Sequence, residues 1–125
     1  MSEETARGLL SRAHDDAAAV SAALDIPGIT DGIVGFHAQQ AVEKAIKAVL
    51  ASRSIDFPFT HDLEGLLELC ENSAVEVPPR LRQDAGLLTP YAVRHRYGEE
   101  PPRLIDRPTA EELATLAVNW AASVV

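Results

Sequence analysis

A polar stripe runs along one face of the second predicted helix, beside its apolar face. His37, Gln40, Lys44 and Lys47 are spaced by three, four and three residues, so they share one side of a helix. Glu43 precedes Lys47 by four residues, a spacing that favours an ion pair. The stripe fits two interpretations. In the first, the two lysines form a surface that faces a phosphate or an acidic partner. In the second, the stripe is a solvated flank of the helix, and His37 and Gln40 bond to neighbouring helices.

A second polar group, Thr60-His61-Asp62, stands where the third helix is predicted to begin. Thr60 is the expected N-cap, and Asp62 falls in the first turn, where the helix dipole favours a negative charge. His61 then lies beside the free N–H groups of a helix start, a position that suits an anion. The alternative is a plain helix start in which His61 only packs.

The third group is the stretch Tyr91-Ala92-Val93-Arg94-His95-Arg96-Tyr97, which lies in a locally basic region. Residues 80–107 contain six arginines and four acids, whereas the whole chain has a net charge of −8. Guanidinium groups bind phosphate and carboxylate in two-point contacts, and a tyrosine can stack on a base. The candidate nucleotide- or phosphate-binding residues are Tyr91, Arg94, Arg96 and Tyr97, together with His61, Lys44 and Lys47. The alternative is that the arginines pair with acids of the protein and the tyrosines pack in its core.

Standard catalytic signatures are missing from the sequence. It has no Gly-rich phosphate loop with its Lys, no His-Glu-x-x-His and no Gly-x-Ser-x-Gly. The four histidines, at 14, 37, 61 and 95, do not have metal-ligand spacing. Cys70 lies on the apolar side of its predicted helix, which favours a core position over a nucleophile. We therefore expect no metal and no cofactor.

Composition and charge exclude several classes of protein. The 125 residues are enough for one domain, 1–125. The composition, with 46% hydrophobic and 24% charged residues, excludes a disordered chain and a coiled coil. The chain has nineteen acidic residues and eleven Lys and Arg residues. This balance excludes a protein that coats nucleic acid without sequence preference, because such binding needs clustered positive charge. No apolar run approaches the roughly 18 residues of a membrane span, and the first residues are acidic where a secretion signal is basic. We expect a soluble, cytoplasmic protein.

Apolar residues recur every three or four positions along nearly the whole chain, which predicts an all-α fold. Five helices are expected, with no strand. The first runs from Ser2 to about Leu24, the second from Thr30 or Asp31 to about Arg53, and the third from Thr60 through Cys70. The fourth runs from about Leu81 to Ala92 and is expected to be interrupted at Pro90. The fifth begins with a capping box formed by Thr109 and Glu112 and extends to the last residues. Gly32 and Gly35 are expected to permit a close approach by a neighbouring backbone.

Three stretches, in this order and spacing, resemble the HEPN domain family. They are residues 36–47 (FHAQQAVEKAIK), 60–63 (THDL) and 88–97 (LTPYAVRHRY). The resemblance implies a four- to five-helix up-and-down bundle that commonly forms homodimers and is often encoded beside a minimal nucleotidyltransferase or fused to one. It also implies an association with nucleotide binding, toxin–antitoxin pairs and RNA cleavage. By position, His37, Gln40, Glu43, Lys44 and Lys47 match the family's helix-two motif, His61 and Asp62 match the third-helix start, and Tyr91, Arg94, Arg96 and Tyr97 match the final motif.

The chain departs from the nuclease pattern of this family. HEPN ribonucleases use an Arg and a His with four to six residues between them in the C-terminal half of the bundle. Here His95 follows Arg94 at once, and no histidine lies beyond it. Arg7 and His14 have suitable spacing but lie in the first helix, the wrong place for the motif. The sequence therefore leans against an enzyme.

The favoured function is a non-catalytic, dimeric binding module that interacts with nucleotide phosphate, with a minimal nucleotidyltransferase partner, or with both, as in toxin–antitoxin pairs. One alternative is a metal-independent endoribonuclease with His61 or His95 beside an arginine, acting on an RNA ligand. The other is a purely structural interaction protein.

Overall fold

The computed structural model describes residues 3–96 and 105–125, and for residues 93–96 it describes the backbone alone. The described residues form six α-helices and one 3-10 helix, with no strand, which confirms the all-α prediction. In chain order these are α1 (Glu3–Ala23), α2 (Asp31–Ser52), α3 (Leu63–Asn72), α4 (Pro79–Asp84), the 3-10 helix (Ala85–Leu88), α5 (Thr89–Arg96) and α6 (Arg107–Val124). None of the described helices is both long and apolar enough to cross a membrane.

Helix α2 lies at the centre of the bundle, where it packs against α1, α3, α5 and α6. Its predicted core stripe is buried at every position: Val34, Ala38, Ala41, Val42, Ala45, Ile46, Val49 and Leu50. Most of these side chains are small, which lets the neighbouring helices approach closely. The apolar stripes of α1, α3 and α6 close the same core, with Val20, Leu67 and Leu113 fully buried.

Two predicted helix starts were wrong, because an aspartate caps the helix instead of the nearby threonine. The N-cap of α3 is Asp62, whose carboxylate accepts from the backbone N–H of Gly65 at 3.2 Å, while Thr60 accepts from the N–H of Asp62. The N-cap of α6 is Asp106, which accepts from the N–H of Thr109 at 2.8 Å. Aspartate is among the strongest N-caps, and Pro108 suits a first turn, so α6 begins before Thr109. The start of α2 is confirmed, with Thr30 as its cap.

The interruption predicted at Pro90 is a break into separate segments. Helix α4 ends at Asp84, the 3-10 helix follows, and α5 begins at Thr89 with Pro90 at its start. A proline in a first turn loses no intrahelical bond, so α5 can begin there without strain.

Gly35 lets α5 approach α2 closely. A Cβ atom at Gly35 would overlap the ring of Tyr91, which is only 1% exposed. The neighbour that the glycine admits is therefore an aromatic ring, which fixes the first turn of α5 on α2.

We predict that Gly35→Ala destabilises the protein by about 1–3 kcal/mol despite the better helix propensity of alanine, because the added methyl group displaces the Tyr91 ring. The matched control is Gly8→Ala in α1, where a Cβ meets nothing within 4 Å and stability should rise by up to about 1 kcal/mol. Urea unfolding followed by circular dichroism measures both. A stabilising Gly35→Ala would show that Tyr91 is not packed on this glycine.

Candidate functional site

The polar stripe predicted on α2 is divided between two clusters on different neighbours. His37 and Lys44 turn toward α1, where both meet Asp16. Gln40 and Lys47 belong to a second group, centred on Glu43 and reaching the start of α3. The four residues share a helix face, but their polar ends do not form one phosphate-facing surface.

The Asp16 cluster (Asp16, His37 and Lys44) ties α1 to α2. One carboxylate oxygen of Asp16 lies 2.6 Å from Lys44 Nζ and the other lies 3.0 Å from His37 Nδ1. Sequence reasoning missed Asp16, although a signal was present. It lies three residues after Ala13 and four before Val20, on the buried stripe of α1. An acid on such a stripe needs a partner across the helix interface.

The Glu43 cluster consists of Gln39, Gln40, Glu43, Lys47 and His61. Glu43 Oε1 accepts from Gln39 Nε2 at 2.9 Å and lies 2.7 Å from His61 Nδ1, while Oε2 accepts from Lys47 Nζ at 3.0 Å. Gln40 Nε2 donates to Gln39 Oε1 at 2.7 Å, which orients the amide of Gln39. Three donors thus converge on one buried carboxylate.

The pKa of Glu43 reports the balance of forces in this cluster. Burial raises the pKa of the carboxyl, but the hydrogen bonds from Gln39, His61 and Lys47 outweigh it and the pKa is lowered. Glu43 is therefore ionised at neutral pH, and its charge neutralises that of Lys47. Because the carboxylate accepts from His61 Nδ1, it fixes the imidazole ring and leaves Nε2 for a contact outside the cluster.

The residues before α3 and the first turn of α5 both contact α2, His61 at Gln39 and Glu43 and Tyr91 at Gly35. Gln39 Nε2 also approaches the backbone carbonyl of His61 at 3.4 Å. The backbone N–H of Leu63 approaches Thr89 Oγ1 at 3.4 Å, which places the start of α5 against the start of α3. Tyr91 then lies in the core against Gly35, so its ring has no free face for a base. Tyr91 is an anchor of α5 and leaves the candidate binding residues.

The described arginines of residues 80–107 are all paired. Arg80 lies 2.6 Å from Glu112 and 3.8 Å from Asp84, and Arg82 lies 2.8 Å from Glu71. Arg107 lies 2.7 Å from Asp31. The side chains of Arg94 and Arg96, and residues Tyr97 and Arg103 entirely, lie outside the described residues.

Within the described residues, Cys70 is not prepared for nucleophilic chemistry, and the acids and histidines form no metal-holding group. Cys70 is buried, and burial, followed by the charge of Glu71, raises the pKa of its thiol to about 11. The group is a protonated thiol at neutral pH and a poor nucleophile. Within residues 3–96 and 105–125, no group of three or more His, Cys, Asp and Glu side chains is placed to hold a metal ion.

Comparisons with known proteins agree with this architecture. The model of the HEPN domain matches residues 6–125. The crystal structure of TT1696 from Thermus thermophilus is similar with a TM-score of 0.74 and 26% identity, over 96% of this chain and 98% of that one. An archaeal HEPN homologue, ST0689, is similar in fold with a TM-score of 0.67 and 22% identity, over 94% and 95% of the two chains. No curated protein sequence matches. A family match over nearly the whole chain, on a helical bundle shared with these structures, shows that the chain belongs to the HEPN domain family.

Proposed function

We propose that this HEPN domain is a non-catalytic, homodimeric binding module that interacts with nucleotide phosphate, with a minimal nucleotidyltransferase partner, or with both. The nucleotide-phosphate contacts come from Arg94 and Arg96 in α5 and from Tyr97, the next residue along the chain. Sedimentation velocity at several concentrations tests the dimer, whose subunit mass is 13.4 kDa.

The observation that carries the proposal is the anchoring of α5. Tyr91 fits against Gly35 in the core, and Thr89 lies beside the start of α3, so the helix that carries Arg94 and Arg96 is fixed on α2. Arginines on an anchored helix bind with less loss of conformational entropy than arginines on a loose loop.

Charge pairing in the rest of the site supports the same location. Lys44 and Lys47, which the sequence also offered for phosphate, already neutralise Asp16 and Glu43. A phosphate near either lysine would meet a carboxylate within a few ångströms, and like charges at that distance repel. The two lysines and the α2 residues of both clusters therefore serve the scaffold, while His61 keeps one ring nitrogen for a contact outside it.

We expect ATP to bind wild type and to bind Arg94→Ala or Arg96→Ala about tenfold or more weakly, because each arginine donates charge-assisted hydrogen bonds to phosphate. The matched control is Arg80→Ala, which removes an arginine from the same region that is already paired with acids. Its affinity should stay within about twofold of wild type. Isothermal titration calorimetry measures all four proteins. Equal heats for wild type and the α5 variants would contradict the proposal.

A further inference from the structure

An open groove of about 480 Å³ lies along the outer face of the first half of α1. Five residues of α1 and one aromatic residue of the α2–α3 connection line this α1 groove: Glu4, Thr5, Gly8, Leu9, Arg12 and Phe57. Leu9 and Phe57 are half-buried, Gly8 is exposed, and a Cβ atom at Gly8 would meet nothing within 4 Å. The groove therefore combines apolar walls with room for another chain.

The two charged residues of the groove are not paired within the subunit. Glu4 and Arg12 are exposed, and neither forms an ion pair with another residue of the described part of the chain. A neighbouring arginine of the same helix differs, since Arg7 lies 2.7 Å from Glu3. Glu4 and Arg12 are eight residues apart, about 12 Å along the helix, which keeps them from pairing with each other. The groove thus offers one unpaired charge of each sign.

These two charges are placed symmetrically about Gly8. Glu4 precedes Gly8 by four residues and Arg12 follows it by four, so the three form one row on α1. Rows at this spacing are the ridges that interlock in the commonest packing of two helices. When two copies of α1 cross in opposite directions at Gly8, Glu4 of each copy faces the partner's Arg12. Parallel copies would set like charges against each other, so the row suits an antiparallel contact about a two-fold axis.

We propose that the α1 groove is the homodimer contact and receives α1 of a second copy running in the opposite direction. Leu9 and Phe57 pack on the partner's helix, and each Glu4 pairs with the partner's Arg12. Charge decides against the other occupants, because a nucleic acid or a peptide with charges of one sign leaves Glu4 or Arg12 facing a like charge. The inference rests on the homodimer of the proposed function and is independent of nucleotide binding at α5.

Charge reversal tests this contact, with sedimentation velocity at several concentrations as the measurement. The proposed dimer contains two Glu4–Arg12 pairs, so Glu4→Arg or Arg12→Glu alone turns both into like-charge contacts. We expect either variant to raise the dimer dissociation constant about tenfold or more. The double variant Glu4→Arg with Arg12→Glu restores opposite charges and should dimerise within about threefold of wild type. An equimolar mixture of the two single variants should form a heterodimer, because each protomer carries the charges that the other needs.

The matched control is Arg7→Glu, which makes the same change in charge as Arg12→Glu on the same helix but does not alter the lining of the groove. It should dimerise within about twofold of wild type. A wild-type dimer that the single variants leave intact, or one that neither the double variant nor the mixture restores, would overturn the α1 groove as the contact and leave a dimer through another face. A wild type that stays monomeric would overturn both this inference and the proposed homodimer. Since ATP titrations do not involve this groove, either failure leaves the α5 test unaffected.

Discussion

Glu43→Ala is expected to destabilise the domain by about 3–5 kcal/mol, the cost of breaking a buried ion pair from one side. The variant leaves the ammonium group of Lys47, whose side chain is only 14% exposed, without its carboxylate. It also removes the acceptor for His61 Nδ1 and Gln39 Nε2. Urea unfolding gives the free-energy difference.

The double variant Glu43→Leu with Lys47→Met is the control for this prediction, because it removes both charges and keeps apolar volume. Such replacements are often close to neutral for the ion pair itself, so the double variant should recover part of the lost stability, the remainder being the acceptor that Gln39 and His61 still lack. If Glu43→Ala costs less than about 1 kcal/mol, the pair behaves as a surface ion pair and the cluster is not buried in solution.

The same carboxylate makes a predicted contribution to acid sensitivity. Burial raises the pKa of Glu43, but the bonds from Gln39, His61 and Lys47 lower it by more, so the folded-state pKa lies below the ordinary 4.5. A depressed pKa stabilises the folded state above the unfolded-state value, and that stability is lost as the pH falls through the folded-state pKa. The stability difference between wild type and Glu43→Gln should be full at pH 7 and should shrink below about pH 4.5. A difference that stays constant down to about pH 3 would contradict this assignment.

Arg107→Ala has the second large expected effect, a loss of about 2–4 kcal/mol. The guanidinium of Arg107 donates to the backbone carbonyls of Ala23 (3.0 Å), Ile26 (3.2 Å) and Ile29, and to the carboxylate of Asp31 at 2.7 Å. One side chain of α6 therefore bonds three carbonyls between the end of α1 and the start of α2. Without it, the three carbonyls lose this donor and the loop loses its hydrogen bonds to α6.

Two variants control the Arg107 prediction. Arg107→Lys keeps the charge but lacks the planar fork of donors, so it should rescue only part of the loss. Arg80→Ala removes a half-exposed arginine in surface ion pairs and should cost less than about 1 kcal/mol. Hydrogen exchange at residues 24–30 reports the loop directly. Unchanged protection there in Arg107→Ala would show that other contacts hold the loop.

The apolar periodicity predicted most of the fold because each helix shows its buried face locally. Leu63, Leu66, Leu67 and Cys70 are all buried as the spacing predicts, and so is the stripe of α2. The errors lie at helix ends, where Thr60 competes with Asp62 as a cap and Thr109 lies after the stronger Asp106. Local sequence alone does not decide which of two adjacent caps bonds the helix.

The site was less predictable, because its contacts join residues far apart in sequence. The spacing of Glu43 and Lys47 predicted their ion pair, which is confirmed at 3.0 Å, but did not indicate that the pair is buried. The bond from His61 to Glu43 spans 18 residues, and that from Lys44 to Asp16 spans 28. Both depend on how α2 packs against its neighbours, which no helical spacing encodes.

The proposed binding role of α5 is tested most directly by nitrogen-15 NMR of the whole chain during titration with ATP. The proposal predicts chemical-shift changes at the backbone amides of residues 94–97 and at the side-chain Nε groups of Arg94 and Arg96, with Arg80, Arg82 and Arg107 unchanged. Shifts confined to those three paired arginines, or no shifts at all, would contradict it.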